Sequence, residues 1–371
     1  MTASTRLMGG SLWIVTMLLF SSIMSGCGSM GPNTVNRDRS DYITAIGESW
    51  KKQTLLNIVK LRYADTPVFL EIGQVISGYE LEGTLSAGGT LGDKDWRTAG
   101  GALGTFVNLS AGGRYLDRPT VTYSPLTGPE FIKTMMTPFP PGAVMFLIEA
   151  GWPVDLILRI STHAVNGLRN QKGGPYGHPA DPEFIELIRL LRSIQLAGGV
   201  GMTLEREKTG EEASIMMFHT RHITPEIAED VVAVKRLLGL NPEARTFKIT
   251  YGADAQGDKE IALHTRSGFQ VLIDLAARVS VPPDHVAEHR TVEEKPLDSD
   301  KKFILPPLVS VHSGQERPPD SFVDVRYRGH WFWVDDRDFS SKRVLTFLMM
   351  LLTLSDTGQK IQPPILTIRT N

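Results

Sequence analysis

Cysteine is nearly absent: Cys27 stands alone among 371 residues. No intramolecular disulfide can form, even in an oxidising compartment, and a disulfide-stapled scaffold is excluded. A surplus of positive charge is missing too. The formal net charge is -2 and the pI is near 6.5, which gives no reason to expect nucleic acid as a partner, because its ligands carry clustered basic surface. Beyond the N-terminal segment no run of about eighteen apolar residues occurs, so nothing there reads as a membrane-spanning helix. The chain also lacks a Gly-rich phosphate loop, a dinucleotide fingerprint and a nucleophile elbow. What remains has an ordinary apolar content of 41% and is long enough for one large or two ordinary domains.

The N-terminal segment decides location. Arg6 supplies a positive charge, residues 12–20 form an apolar run, and the small residues Ser25 and Gly26 lead into Cys27. This is the order of a secretory signal: basic region, apolar core, cleavage site. An uncleaved spanning helix is the alternative, but it needs about twenty apolar residues, and Ser21 and Ser22 interrupt this run sooner. Met24-Ser25-Gly26-Cys27 resembles the lipobox of bacterial lipoproteins, in which the cysteine thiol receives a diacylglycerol and becomes the new N-terminus. That resemblance implies a signal peptide over 1–26 and lipidation of Cys27, whose thiol is otherwise a free exposed nucleophile. Buried acyl chains contribute about 0.8 kcal/mol per methylene, so two or more hold a protein on a bilayer essentially permanently. In such lipoproteins an Asp after the cysteine favours inner-membrane retention; Gly28 stands here, so the resemblance implies the outer membrane, with the body facing the periplasm.

Residues 27–40 are small and polar and read as a flexible tether. From Asp41 an amphipathic helix is expected, with Ile43, Ile46, Trp50, Leu55, Ile58, Val59 and Leu61 largely at helical spacing, ended by Pro67. This helix, the following VFLEIGQVISGYELEG and the later RYRGHWFWVDDRDFSSK are similar to a group of uncharacterised lipoproteins of Gram-negative bacteria. The resemblance spans most of the mature chain and implies class and location only.

Residues 79–116 are the most unusual part. Tyr79, Leu81, Gly83, Leu85, Ala87, Gly89 and Leu91 alternate with Glu80, Glu82, Thr84, Ser86, Gly88 and Thr90. A second run places Val107, Leu109, Ala111, Gly113 and Tyr115 opposite Asn108, Ser110, Gly112 and Arg114, and LSAGG occurs in both runs. A period of two predicts strands, and two matching strands around a polar, Gly-containing loop predict a long hairpin. Its apolar face could pack on the protein's own helices, with glycine permitting close approach. Alternatively, each strand reaches the nine to eleven or so residues needed to cross a bilayer, and several protomers close a shared barrel. Lipid permits no lone open hairpin, because its edge amides would be unpaired, so the second reading requires an oligomer. Trp96 in the loop suits a membrane interface.

After Pro119 helices are expected at 129–136, 141–150 and 153–165, the last apolar nearly all round and hence buried. His163 and Asn166 at its end read as capping or core polar groups. The Gly/Pro-rich stretch 170–180 reads as a boundary closing a 41–170 unit and opening a second at 181–371. There, helices at 181–197, 224–238 and 267–279 alternate with strand pairs at 202–207 with 213–219 and 246–251 with 260–265. Hairpins alternating with helices imply an α+β fold of antiparallel strands covered on one side. The proline- and charge-rich 282–320 reads as an extended or partly disordered loop. It is followed by an aromatic-faced strand over 323–333, an apolar helix over 342–354 and a short strand at 365–368. The tryptophan-rich face reads as core, or as a partner surface if exposed.

The search for chemistry yields one motif. His285-Val286-Ala287-Glu288-His289 matches the inverted zinc-protease pattern, in which two histidines one helical turn apart bind zinc and the glutamate is the base. That role needs an apolar-backed helix, and the flanks here are a charged linker. Ser49 to Lys52 and Ser299 to Lys302 have S-x-x-K spacing without the accompanying motifs. Gly198-Gly199-Val200-Gly201 is explained by helix termination, and Arg337 within Asp335, Asp336 and Asp338 argues for local ion pairs. No catalytic residue, metal or cofactor follows. The expectation is a non-enzymatic accessory or scaffold lipoprotein of the cell envelope with a protein partner. The alternative is a subunit of an oligomeric outer-membrane assembly or export channel that inserts 79–116, and a zinc hydrolase is the remote third.

Overall fold

The computed structural model describes residues 30–76, 79–90, 106–117, 120–174, 177–206, 212–219, 223–293 and 305–354. The signal segment with Cys27, loop residue Trp96, Ser299 to Lys302 and the strand expected at 365–368 lie outside the described residues. The chain divides into two compact units, Met1–Gln53 and Thr54–Asn371.

Helix α1 spans Met30–Arg62. It starts well before Asp41, so the described part of the expected tether is helical. Pro32 is its only proline and falls in the first turn, where a missing N–H costs nothing; beyond it the Arg37–Asp38 and Glu48–Lys51 ion pairs suit a solvated helix. In the first unit Ile43 is exposed. The apolar stripe is used in the second unit, where Leu55, Ile58 and Val59 are fully buried. Basic residues Lys60 and Arg62 occupy the last turn, the favourable end of the helix dipole for a cation.

A two-stranded ribbon follows. Strand β1 (Phe69–Ile76) pairs antiparallel with β4 (Thr120–Leu126), and β2 (Tyr79–Thr90) pairs antiparallel with β3 (Phe106–Asp117). The expected hairpin is present, and β1 with β4 extend it at its base. Among the described residues none of the four strands joins another sheet.

The remainder is α+β. Helices α2 (Pro129–Met136), α3 (Pro141–Glu149) and α4 (Val154–Ser161) each have proline at or just before the first turn, where it preorganises the backbone. Helix α4 stops at Ser161, short of the expected 165. The β-branched Thr162 and Val165 bound strand β5 (Thr162–Val165), and Asn166-Gly167, both at positive φ, turn it into β6 (Leu168–Arg169). Two positive φ values in a two-residue loop favour Asn-Gly. Asn166 is half-buried, and its side-chain amide donates to Leu238 O and accepts from Ala262 N–H.

Helices α5 (Pro182–Leu196), α6 (Pro225–Leu237) and α7 (Gly268–Ala276) alternate with β7 (Val200–Arg206), β8 (Glu212–Phe218), β9 (Thr246–Tyr251) and β10 (Glu260–Thr265). One sheet results, in the order β6-β5-β10-β9-β8-β7. It corrects two expectations. Strand β5 pairs with β10, so the sheet crosses the expected boundary at 170–180 and joins both halves. Strands β9 and β10 are parallel, with Lys248 beside Glu260 and Tyr251 beside Leu263; their connection runs back along the sheet, held by Asn241 N–H to Asp258 O and Gly167 N–H to Ala253 O. Ser267 and Gln270 form a reciprocal capping box at the start of α7. Helices α3, α4 and α5 meet the sheet through Met145, Ile148, Leu158 and Leu191 against Val165, Met216, Ile249 and Leu263. Side chains of this size each contribute about 1.5–3 kcal/mol on burial.

After α7 a short helix α8 (Pro283–Ala287) interrupts what was expected to be loop. The aromatic strand expected at 323–333 is a hairpin, β12 (Ser321–Tyr327) and β13 (His330–Asp335), turned at Arg328-Gly329, both at positive φ. Strand β11 (His312–Gly314) pairs on the other side of β13. Phe332 is fully buried, whereas Trp331 and Trp333 are half-buried against Arg317 and His312. Helix α9 (Phe339–Leu354) ends the described chain, with Asp338 accepting from Ser341 N–H at its start. No helix among the described residues is long and apolar enough to cross a membrane.

Candidate functional site

Two features stand out. The first is the hairpin. Its register sets Gly83 opposite Gly113, Leu85 opposite Ala111 and Ser86 opposite Ser110. Directly paired residues share a face, so Tyr79, Leu81, Leu85, Ala87, Val107, Leu109, Ala111 and Tyr115 lie on one face with Asp117 at its end, while Glu80, Glu82, Thr84, Ser86, Thr90, Asn108, Ser110 and Arg114 lie on the other with Phe106 and Leu116 at its two ends. The repeated LSA segments pair with each other about Ser86 and Ser110, whose hydroxyls bond at 2.5 Å, and the Thr84 hydroxyl donates to Gly112 O. Thr84, Ser86, Ser110, Gly112 and Arg114 are exposed. At about 3.3 Å per residue, each twelve-residue strand is about 40 Å long, enough for a bilayer core of about 30 Å.

The second feature is polar and buried. The residue after α1, Tyr63, is 6% exposed. Its hydroxyl lies 2.7 Å from His285 Nδ1, its ring stands edge-on to His285 and Phe332, and the Arg328 guanidinium sits 5.4 Å from its centre. Burial pushes the Tyr63 phenol up to about 12, against the pull of Arg328 and Arg62, so the hydroxyl keeps its proton at neutral pH. His285 on α8 is 2% exposed, and burial lowers its affinity for a proton. Asp284 precedes it, and His330, the first residue of β13, brings its ring to 4.7 Å from that of His285 and its Nε2 to 3.8 Å from the Asp284 carboxylate. His330 Nδ1 is buried with no hydrogen-bond partner among the described residues. Beside them Tyr327 donates to Asp65 at 2.7 Å, a bond that holds the Asp65 carboxyl below its usual range, and accepts from Arg328.

Local sequence explains the convergence. Proline at the start of α8 sets a short helix that carries Asp284 and His285. The Arg328-Gly329 turn reverses the chain so that Tyr327 and His330 face each other across the hairpin. Arg62 bonds Val292 O and Thr291 bonds Arg62 O, tying the end of α1 to the segment after α8.

The zinc-protease pattern is not assembled. Helix α8 ends at Ala287, His289 has a φ of 57° and is exposed, and Glu288 pairs with Arg290. His285 and His289 therefore do not stack one helical turn apart. His285 meets Tyr63 and His330 instead, residues distant in sequence that no spacing rule links. The acidic run behaves as local pairs, Asp336 with Lys342 and Asp320 with Arg337. Gly198, at positive φ, ends α5, and His163 sits on β5 beside His264.

Comparison with known proteins returns no match to a protein family, to a curated protein or to a solved structure.

Proposed function

We propose that this chain is a lipid-anchored outer-membrane protein, without catalytic activity, that assembles with copies of itself through the 79–116 hairpin to form a shared β-barrel in the membrane. The observation that carries this reading is the pairing of β2 and β3 with each other alone among the described residues, in a register that separates an apolar from a polar face. A two-stranded ribbon is marginal in water, and each outer edge offers unpaired N–H and C=O groups that template a further strand. Neighbouring copies satisfy both edges, and closure leaves none. In the barrel the apolar face meets lipid and the polar face lines the lumen. The ordinary net charge, the signal segment and Cys27 fit an anchored envelope protein. The alternative of a monomeric scaffold requires the hairpin's apolar face to be covered by the chain's own helices.

The test is the mass of the full-length protein extracted from membranes in mild detergent, beside a variant in which residues 83–113 are replaced by a short Gly/Ser linker. A ring-sized particle that reverts to the monomer in the variant supports the proposal. A monomer in both refutes it.

A further inference from the structure

We infer that Asp284, His285 and His330 form a binding site for a divalent transition-metal ion of the zinc class, with Tyr63 as the outer partner that orients His285. One ligand atom from each of the three residues lies within 4.8 Å of the others. A tetrahedral zinc site, with bonds of about 2.0–2.2 Å, sets its ligand atoms about 3.3–3.6 Å apart. The His330 Nε2 to Asp284 Oδ2 separation of 3.8 Å is within a few tenths of that, and Asp284 has an exposed side chain that is free to close the rest.

Three observations point to a cation rather than to packing. First, two imidazoles and a carboxylate are a donor set that suits zinc and its neighbours, and three protein ligands leave a position for water. Secondly, histidine ligands are almost always oriented by a hydrogen bond from the second ring nitrogen. Tyr63 provides it at 2.7 Å on Nδ1; with Nδ1–H donating to the phenolic oxygen, Nε2 carries the free lone pair. Thirdly, His330 Nε2 and the Asp284 carboxylate face each other at 3.8 Å, too far apart to hydrogen-bond directly. The nearby cations are otherwise engaged: Arg328 on Tyr327 and the two tyrosine rings, Arg290 on Glu288, and Arg62 on Val292 O. Such an ion ties α8 to the start of β13, and through Tyr63 to the end of α1. The site shares only His285 with the motif visible in the sequence, and it is independent of the hairpin.

The probe is zinc alone, titrated calorimetrically into full-length protein that has been treated with chelator and dialysed, in detergent. Cobalt serves as the optical reporter. The expected result is one ion per chain, affinity lowered at least tenfold by Asp284→Asn and by His330→Gln, and lowered about 10–100-fold by Tyr63→Phe. His289→Gln leaves it unchanged. Asp284 is exposed, so Asp284→Asn tests the site without disturbing the core, and its fold is checked by circular dichroism. Absence of stoichiometric binding overturns the inference, and so does binding that Asp284→Asn and His330→Gln leave intact or that depends on His289.

Discussion

Replacing Ser86 and Ser110 together by cysteine tests the hairpin register directly. The two residues are directly paired and their hydroxyls are 2.5 Å apart; directly opposed residues have Cβ atoms about 4.5–5.5 Å apart, so a small adjustment brings the pair to disulfide range, about 3.5–4.5 Å. A bond there closes a loop of about 25 residues. By the chain-entropy relation this removes about 3.5 kcal/mol of freedom from the unfolded ensemble. Cys27 is common to every variant, so the control is the staggered pair Ser86→Cys with Ala111→Cys, which a one-residue slip would bring together. Gel mobility under non-reducing conditions reads the bond, and resistance to protease in the 79–116 segment reads the stabilisation. Near-complete oxidation of the 86–110 pair and little of the 86–111 pair is expected. The reverse order would place every apolar residue of the strand on the opposite face and would refute the reasoning from register to function.

Other consequences follow from the buried groups. Arg266 is 1% exposed and donates to Asp274 and to Gln171 O, while Asp274 also accepts from Gly173 N–H. Asp274→Ala strands the guanidinium and is expected to cost about 3–5 kcal/mol, read from the urea midpoint; Arg266→Met with Asp274→Leu is expected to cost less than that single change. His163 has its affinity for a proton lowered to about 4 by burial, with Arg266, His264 and Lys172 opposing the charge and Gln270 favouring it. The unfolded chain takes up this proton near pH 6.5, the folded chain only near 4, so stability is full above about 6.5 and is lost on acidification towards 4. The full difference corresponds to about 3 kcal/mol and screening at this half-buried ring reduces it to about 1–2 kcal/mol; His163→Asn is expected to flatten that limb of the stability profile. Tyr63 is expected to ionise near pH 12 in an ultraviolet titration, a late step that Tyr63→Phe removes, whereas loss of that step with the wild-type chain near 10 would show the phenol to be solvated.

The elements with strong local signals were legible in the sequence. Period-two alternation announced β2 and β3 with their faces, and prolines with capping residues announced α2, α3, α5, α6 and α7, because each is a property of neighbouring residues. Long-range pairing was not legible. Nothing local distinguishes the parallel pairing of β9 with β10 from a hairpin, since the choice depends on where residues 252–259 find partners. Two turns carry a local signal of their own: Asn166-Gly167 reverses β5 into β6, and Arg328-Gly329 divides the aromatic stretch into β12 and β13. The Tyr63, His285 and His330 cluster comes from three separated segments and has no signature of its own. The sequence instead offered His285 with His289, a pair that the end of α8 separates.

The most direct test of the shared barrel is a single-cysteine scan across residues 81–89 in the full-length protein reconstituted into lipid vesicles, each site carrying an environment-sensitive fluorophore. Quenchers attached to lipid tails and quenchers dissolved in water are compared at every position. The account predicts a period of two: Leu81, Gly83, Leu85, Ala87 and Gly89 quenched from the lipid, and Glu82, Thr84, Ser86 and Gly88 quenched from water. Uniform access from water at all nine positions would contradict it and leave the hairpin outside the membrane.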